Sequence, residues 1–273
     1  MKVCKTLILF FLISISSKAQ VEFGDISFNK AVNISGKQRM LGQRMSKAYI
    51  YLLENPKSQL AAKELSVSKI IFEKHHNILF KNAQSVHTKE KLEKVDKIWE
   101  KLKKIFDETP THKGAKRILA RNTNLLNSSD AVVKSIVKDA QVKSKSAAKN
   151  LSKIDFVNLK EVIDISGRQR MLSQRLAMLY FGNVNEIKNK ETRQDLQASY
   201  QLFDESIFKL SNSKFNTPKI KKVIDKAYEN WNNFKNNKSD FFDHKLPVKD
   251  IYSDTNELMQ SFNDLTALYE KIN

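Results

Sequence analysis

Cysteine is almost absent from this chain. The single one, Cys4, lies in an apolar run at the N-terminus, which excludes a disulfide framework. Glycine (6) and proline (4) are scarce among 273 residues, leaving few sharp turns and no glycine-rich phosphate loop. After the N-terminal run no stretch approaches the roughly 20 apolar residues that a spanning helix needs. Five histidines show no metal-ligand spacing, and the adjacent His75 and His76 diverge on a helix. No nucleophile stands beside a recognisable base. The expectation is a protein that is not an enzyme, with no catalytic residue, no metal and no cofactor.

The N-terminus carries Lys2 and Lys5, an apolar run from Leu7 to Ile15, and Ser17-Lys18-Ala19 before Gln20. That order of positive, apolar and small residues reads as a cleaved secretory signal over residues 1–19. The mature chain is then expected to be soluble, without a transmembrane segment, and periplasmic or secreted. Formal charge is +18, and removal of Lys2, Lys5 and Lys18 leaves +15. Export argues against nucleic acid as the partner. The excess charge reads as lysines spread over solvated helix faces, or as attraction for anionic ligands or an anionic membrane surface.

All four prolines (Pro56, Pro110, Pro218, Pro247) fall where helical periodicity breaks. The pattern predicts an all-α chain of eight helices, near 25–54, 57–86, 89–107, 115–150, 155–182, 187–212, 218–236 and 250–271. No strand pattern competes.

Eleven residues occur twice, Ile34–Arg44 as I-S-G-K-Q-R-M-L-G-Q-R and Ile165–Arg175 as I-S-G-R-Q-R-M-L-S-Q-R, 131 positions apart. On a helix, Ile34, Leu41, Met45, Ala48 and Leu52 form an apolar stripe, matched by Ile165, Leu172, Leu176 and Leu179. On the other side Gly36, Arg39 and Gln43 align, as do Gly167, Arg170 and Gln174. A helical glycine costs roughly 0.8 to 1 kcal/mol against alanine, so a glycine kept in both copies implies a close approach to the backbone there. The polar face is expected to be a contact surface.

The repeat extends further. Ser68–Leu79 aligns with Ser199–Leu210, Val95–Leu102 with Ile224–Trp231, and Thr123-Asn124 with Thr255-Asn256. This predicts two tandem four-helix units, residues 20–150 and 151–273. From Ala115 to Phe181 there is no proline and only Gly167, so the last helix of unit one could run into the first of unit two, stacking the bundles end to end. Ser152-Lys153-Ile154-Asp155 resembles a helix start, and a break there is equally compatible.

The motif N-I-S-G-[KR]-Q-R-M-L-x-Q-R resembles the first helix of the PilJ-type sensor domain, the extracytoplasmic part of type IV pilus chemotaxis transducers, related to the sensor domains of nitrate/nitrite-responsive histidine kinases. The resemblance covers essentially the whole mature chain in two tandem copies. It implies helical bundles, with tandem units stacked into a helical bimodular rod. In the nitrate-sensing relatives the arginine of Gly-x-x-Arg-Met binds the anion at a dimer interface, which implies Arg39 and Arg170 here, with Gly36, Gly167, Gln43 and Gln174 around them. A guanidinium is permanently charged and presents a planar fork of donors suited to an oxyanion.

A transducer of this type carries transmembrane helices and a cytoplasmic signalling region. Without them, the expected function is a soluble sensory or ligand-binding module that takes a small anion such as nitrate or nitrite, forms a homodimer, and acts through a membrane-bound signalling partner. Arg39, opposite the apolar stripe, is expected to meet a ligand without holding its own bundle together. Asp164, which stands where unit one has Asn33, is expected to discourage an anion at Arg170 and favour unit one. Alternatively, Arg39 and Arg170 pair with carboxylates of a neighbouring helix, and the chain is a structural or adaptor protein with no small ligand. Gln38, Gln169, Arg44 and Arg175, at the borders of the stripe, read as inter-helix bonding within the bundle.

Overall fold

The structure, a computed structural model, describes residues 22–147, 153–187 and 190–272. The signal over 1–19 and the join near Ser152 lie outside the described residues.

A two-residue antiparallel pair, β1 (Glu22–Phe23) and β2 (Ile26–Ser27), precedes the helices, a small departure from the expectation of no strand. It seats Phe23 edge-on against Phe28. Unit one comprises α1 (Phe28–Glu54), α2 (Gln59–Asn82), α3 (Val86–Phe106) and α4 (His112–Ala147). Unit two comprises α5 (Lys153–Val184), α6 (Lys190–Ser211), α7 (Pro218–Asn236), a single extra turn α8 (Lys238–Phe242) and α9 (Val248–Glu270). No described helix is long and apolar enough to cross a membrane.

Hydroxyl side chains start several of these helices by taking up an orphan backbone N–H. Ser27, Ser58, Ser85 and Thr217 each accept from the residue three positions on, and Pro218 follows Thr217 in the first turn. Thr111 Oγ1 accepts from Gly114 N at 3.0 Å. Gly114 lets α4 begin against α1, because a Cβ there would lie 2.1 Å from Tyr49 Oη.

The two units do not meet end on. Their most extensive contact is lateral, between α1 and α5; α2 and α4 flank α1, while α6 and α9 flank α5. The pair runs parallel. A Cβ on Gly36 would lie 4.0 Å from Gly167 Cα, Arg175 Nη1 meets Gln43 Oε1 at 3.4 Å, and Tyr51 and Phe181 ring centroids are 5.5 Å apart, so both helices advance in the same direction. The physical reason is burial: α1 has neighbours on all sides, and Phe28 to Leu52 is almost wholly buried. The face that the periodicity offers to a partner is already covered by the second motif helix.

Each unit repeats one core device. Trp99 Nε1 donates to Glu73 at 3.3 Å with the Phe72 ring tilted against it 4.4 Å away, and Trp231 Nε1 donates to Asp204 at 2.8 Å with the Phe203 ring tilted at 4.2 Å. Lys103 and Lys235 close the two arrangements on the same carboxylates. Trp231 therefore answers Trp99, whereas the sequence alignment sets it against Leu102. The slip is three residues, close to one helical turn, which leaves the apolar periodicity intact and so escapes notice in the sequence.

Candidate functional site

Gly36 and Gly167 let α1 and α5 approach at their crossing, and both motif arginines converge there. A Cβ on Gly36 would lie 3.2 Å from Arg170 Nη2 and 3.6 Å from Arg39 Nη2; one on Gly167 would lie 3.0 Å and 3.8 Å from the same atoms. Helical side chains lean toward the N-terminus, so each arginine reaches back along the neighbouring helix to the residue three before its glycine. Arg39 reaches Asp164 and Arg170 reaches Asn33.

Both side chains are buried, Arg39 at 1% exposure and Arg170 at 0%. Arg39 Nη1 donates to Asp130 Oδ1 of α4 at 2.6 Å, and its Nη2 donates to Asp164 Oδ1. Burial works against its charge, but Asp164 and Asp130 more than offset that and hold its pKa above the ordinary arginine value. Arg170 Nη1 donates to Asn33 Oδ1 at 2.8 Å and to Asn263 Oδ1 at 3.3 Å, and its Nη2 to the Asn33 carbonyl at 3.4 Å. Among the described residues no carboxylate bonds it. Burial, then the Arg39 guanidinium, push its pKa down to about 9. The Nε atoms of both arginines are buried without a partner.

Two expectations change here. Arg39 does hold its own bundle together, through Asp130 of α4. Asp164 does not bond Arg170; its carboxylate pairs with Arg39 across the interface and with Arg168 at 2.9 Å on its own helix. The arginine short of negative charge belongs to unit two.

Of the two glutamines at the next turn, Gln43 bonds across the units and Gln174 bonds within its own. Gln43 Oε1 accepts from Arg175 and its Nε2 is unpartnered, while Gln174 Nε2 donates to the Thr255 carbonyl at 2.9 Å and its Oε1 is unpartnered. Gln38 meets His76 Nδ1 at 3.4 Å and Gln169 donates to the Phe203 carbonyl at 2.8 Å, both inter-helix bonds within a unit. Arg175 bonds Asp195 at 2.6 Å, Asn122 at 3.2 Å and Ser199 at 3.3 Å. Arg44 pairs with Glu64 at 3.3 Å, and the buried Lys47 pairs with the same carboxylate at 2.8 Å and donates to Asn256 of α9 at 2.7 Å. Lys47 had no sequence signal beyond standing where unit two has Met178.

A family model described as the N-terminal part of type IV pili methyl-accepting chemotaxis transducers (PilJ) matches residues 27–132 and 157–261. The chain belongs to the PilJ family. No curated protein and no solved structure matches it. The two matches each contain one motif helix, so the lateral contact of α1 and α5 is a contact between two PilJ units of a single chain, and it places this chain's two Gly-x-x-Arg-Met segments side by side.

Proposed function

We propose that this protein is an exported sensory module whose paired PilJ units bind a small oxyanion, nitrate or nitrite in the first instance, between Arg170 and Arg39, and which acts through a membrane-bound partner. The observation that carries this reading is Arg170: a fully buried guanidinium bonded only by amides and a carbonyl, facing a second guanidinium over two glycines. A buried charge without a counter-charge costs several kcal/mol, and an anion relieves that cost for Arg170. Binding at the crossing would bias how the two units pack, which is the kind of change a partner can read.

The test is calorimetric titration of nitrate and nitrite into the mature chain, paired with thermal melts. Binding should be lost in Arg170→Ala. Absence of any anion binding to the wild type sinks the reading. A second reading, a purely structural clasp, draws support from Arg39, which two carboxylates already satisfy; under it no anion binds, and Arg39→Ala simply loosens the two units.

A further inference from the structure

A cleft of about 510 Å³ opens between α1 and α2 of unit one and α9 of unit two, within the roughly 300 to 1,000 Å³ range of sites for small organic molecules. Its apolar lining comes from Ile34, Met40 and Leu41 of α1, Ile71 and Ile78 of α2, and Met259 of α9. Three lysines, Lys30, Lys37 and Lys74, stand along it, and none of their ammonium groups is in an ion pair among the described residues. Arg44 is held by Glu64, and Glu270 of α9, the one carboxylate of the lining, accepts from Asn33 Nδ2.

Positive charge is crowded here. Burial and then Arg170 lower the Lys37 pKa, and burial followed by Lys37, Arg170 and Lys74 push His75 down to about 4. His75 is therefore a neutral imidazole at pH 7, with a buried Nδ1 that has no partner. The duplication supplies the control. At the matching positions of unit two, 131 residues on, Lys30 becomes Glu161, Asn33 becomes Asp164, Lys74 becomes Glu205, and Ile78 becomes Lys209. Lys37 becomes Arg168, but Asp164 already pairs with it. At these matched positions unit two does not repeat the set of lysines beside apolar residues.

We infer that this cleft is a binding site for an organic anion, a carboxylate carrying a hydrocarbon body, with Lys30, Lys37 and Lys74 holding the carboxylate and the Met40, Leu41 and Ile71 surface taking the apolar part. The inference stands apart from the oxyanion reading, because the lysines and not Arg170 make the contact. The two sites nevertheless share a wall: Asn33 and Asn263 line the cleft and also hold Arg170.

The experiment titrates hexanoate, adipate and the uncharged hexanol into the mature full chain by calorimetry, with thermal melts alongside. Hexanoate or adipate should bind saturably and raise the melting temperature, and hexanol should bind at least tenfold more weakly. Lys30→Glu combined with Lys74→Glu imports the charges of unit two at two exposed positions, so the fold should be unaffected and carboxylate affinity should fall at least tenfold. Arg170→Ala should leave carboxylate binding within a few-fold of wild type. The inference is overturned if neither carboxylate binds, if hexanol binds as well as hexanoate, or if the double charge swap is silent. It is equally overturned if Arg170→Ala alone abolishes carboxylate binding, since the ligand would then occupy the arginine pair. Failure of nitrate to bind leaves it standing.

Discussion

Arg39 bonds the carboxylate of Asp164 across the two PilJ units, while the symmetry-related reach of Arg170 ends on the amide of Asn33. One substitution tests what the carboxylate contributes. Asp164→Asn should cost about 1.5 to 3 kcal/mol, the loss of a charge-assisted bond with Asp130 still in place, plus a few tenths for the i, i+4 pair with Arg168. Urea unfolding of the two proteins measures this. A cost below about 0.5 kcal/mol would show that Asp164 does not hold the units together.

The two arginines should respond in opposite ways to removal of charge. Arg39→Met takes one partner each from Asp130 and Asp164, which keep Lys134 and Arg168, and should destabilise by about 3 kcal/mol through the loss of two charge-assisted bonds. Arg170→Met removes a charge that has no carboxylate, so its ligand-free stability should change by less than about 1.5 kcal/mol in either direction. Asn263→Asp gives Arg170 what Asp130 gives Arg39; it should raise ligand-free stability and abolish the response to nitrate. Equal losses from both methionine variants would contradict the asymmetry.

Gly167→Ala places a methyl 3.0 Å from Arg170 Nη2. Alanine favours the helix by up to about 1 kcal/mol, so thermal stability should hold while nitrate affinity drops at least tenfold. Gly114→Ala is the contrasting case: its Cβ would lie 2.1 Å from Tyr49 Oη, so it should lower the melting temperature without touching the site. Retained nitrate binding in Gly167→Ala would place the anion elsewhere.

Lys47 makes the pH dependence specific. Burial is the main cause of its depressed pKa, about 8 against 10.5, with the Arg44 charge adding to it and Glu64 working the other way. Because the folded value lies below the unfolded one, the unfolded chain holds more protons between pH 8 and 10.5, and stability rises with pH across that window. The slope from this group is about half-maximal at pH 8 and fades over roughly the next pH unit below it. Its share should approach 1.4 kcal/mol per pH unit, read from urea unfolding at pH 8.0, 8.75 and 9.5 as wild type minus Lys47→Met. Parallel slopes in the two proteins would rule out a depressed Lys47.

The all-α class, the duplication and most helix limits were legible because they rest on local signals: 3.6-residue periodicity, capping hydroxyls and prolines between helices. The pairing of the units was not. A polar stripe on an amphipathic helix normally means solvent or a partner chain, and Gly36, Arg39 and Gln43 instead face the chain's own second copy. Asp130 lies 91 residues from Arg39, and no spacing rule links the two. The i, i+4 rule found Asp164 with Arg168 but is blind to the stronger bond that the same carboxylate makes to another helix. Nor does any pattern show that Lys47 is buried, since a lone lysine in a helix reads as exposed.

The parallel pairing of α1 and α5 also bears on how such a site evolves. In an assembly of two identical chains every substitution appears twice, so one arginine cannot be given a carboxylate while the other keeps an amide. Joining the halves in one polypeptide lifts that constraint. Asn33 opposite Asp164, Lys47 opposite Met178 and Lys74 opposite Glu205 are differences that only a fused pair can hold. They let one arginine meet two carboxylates while its counterpart meets amides and a carbonyl.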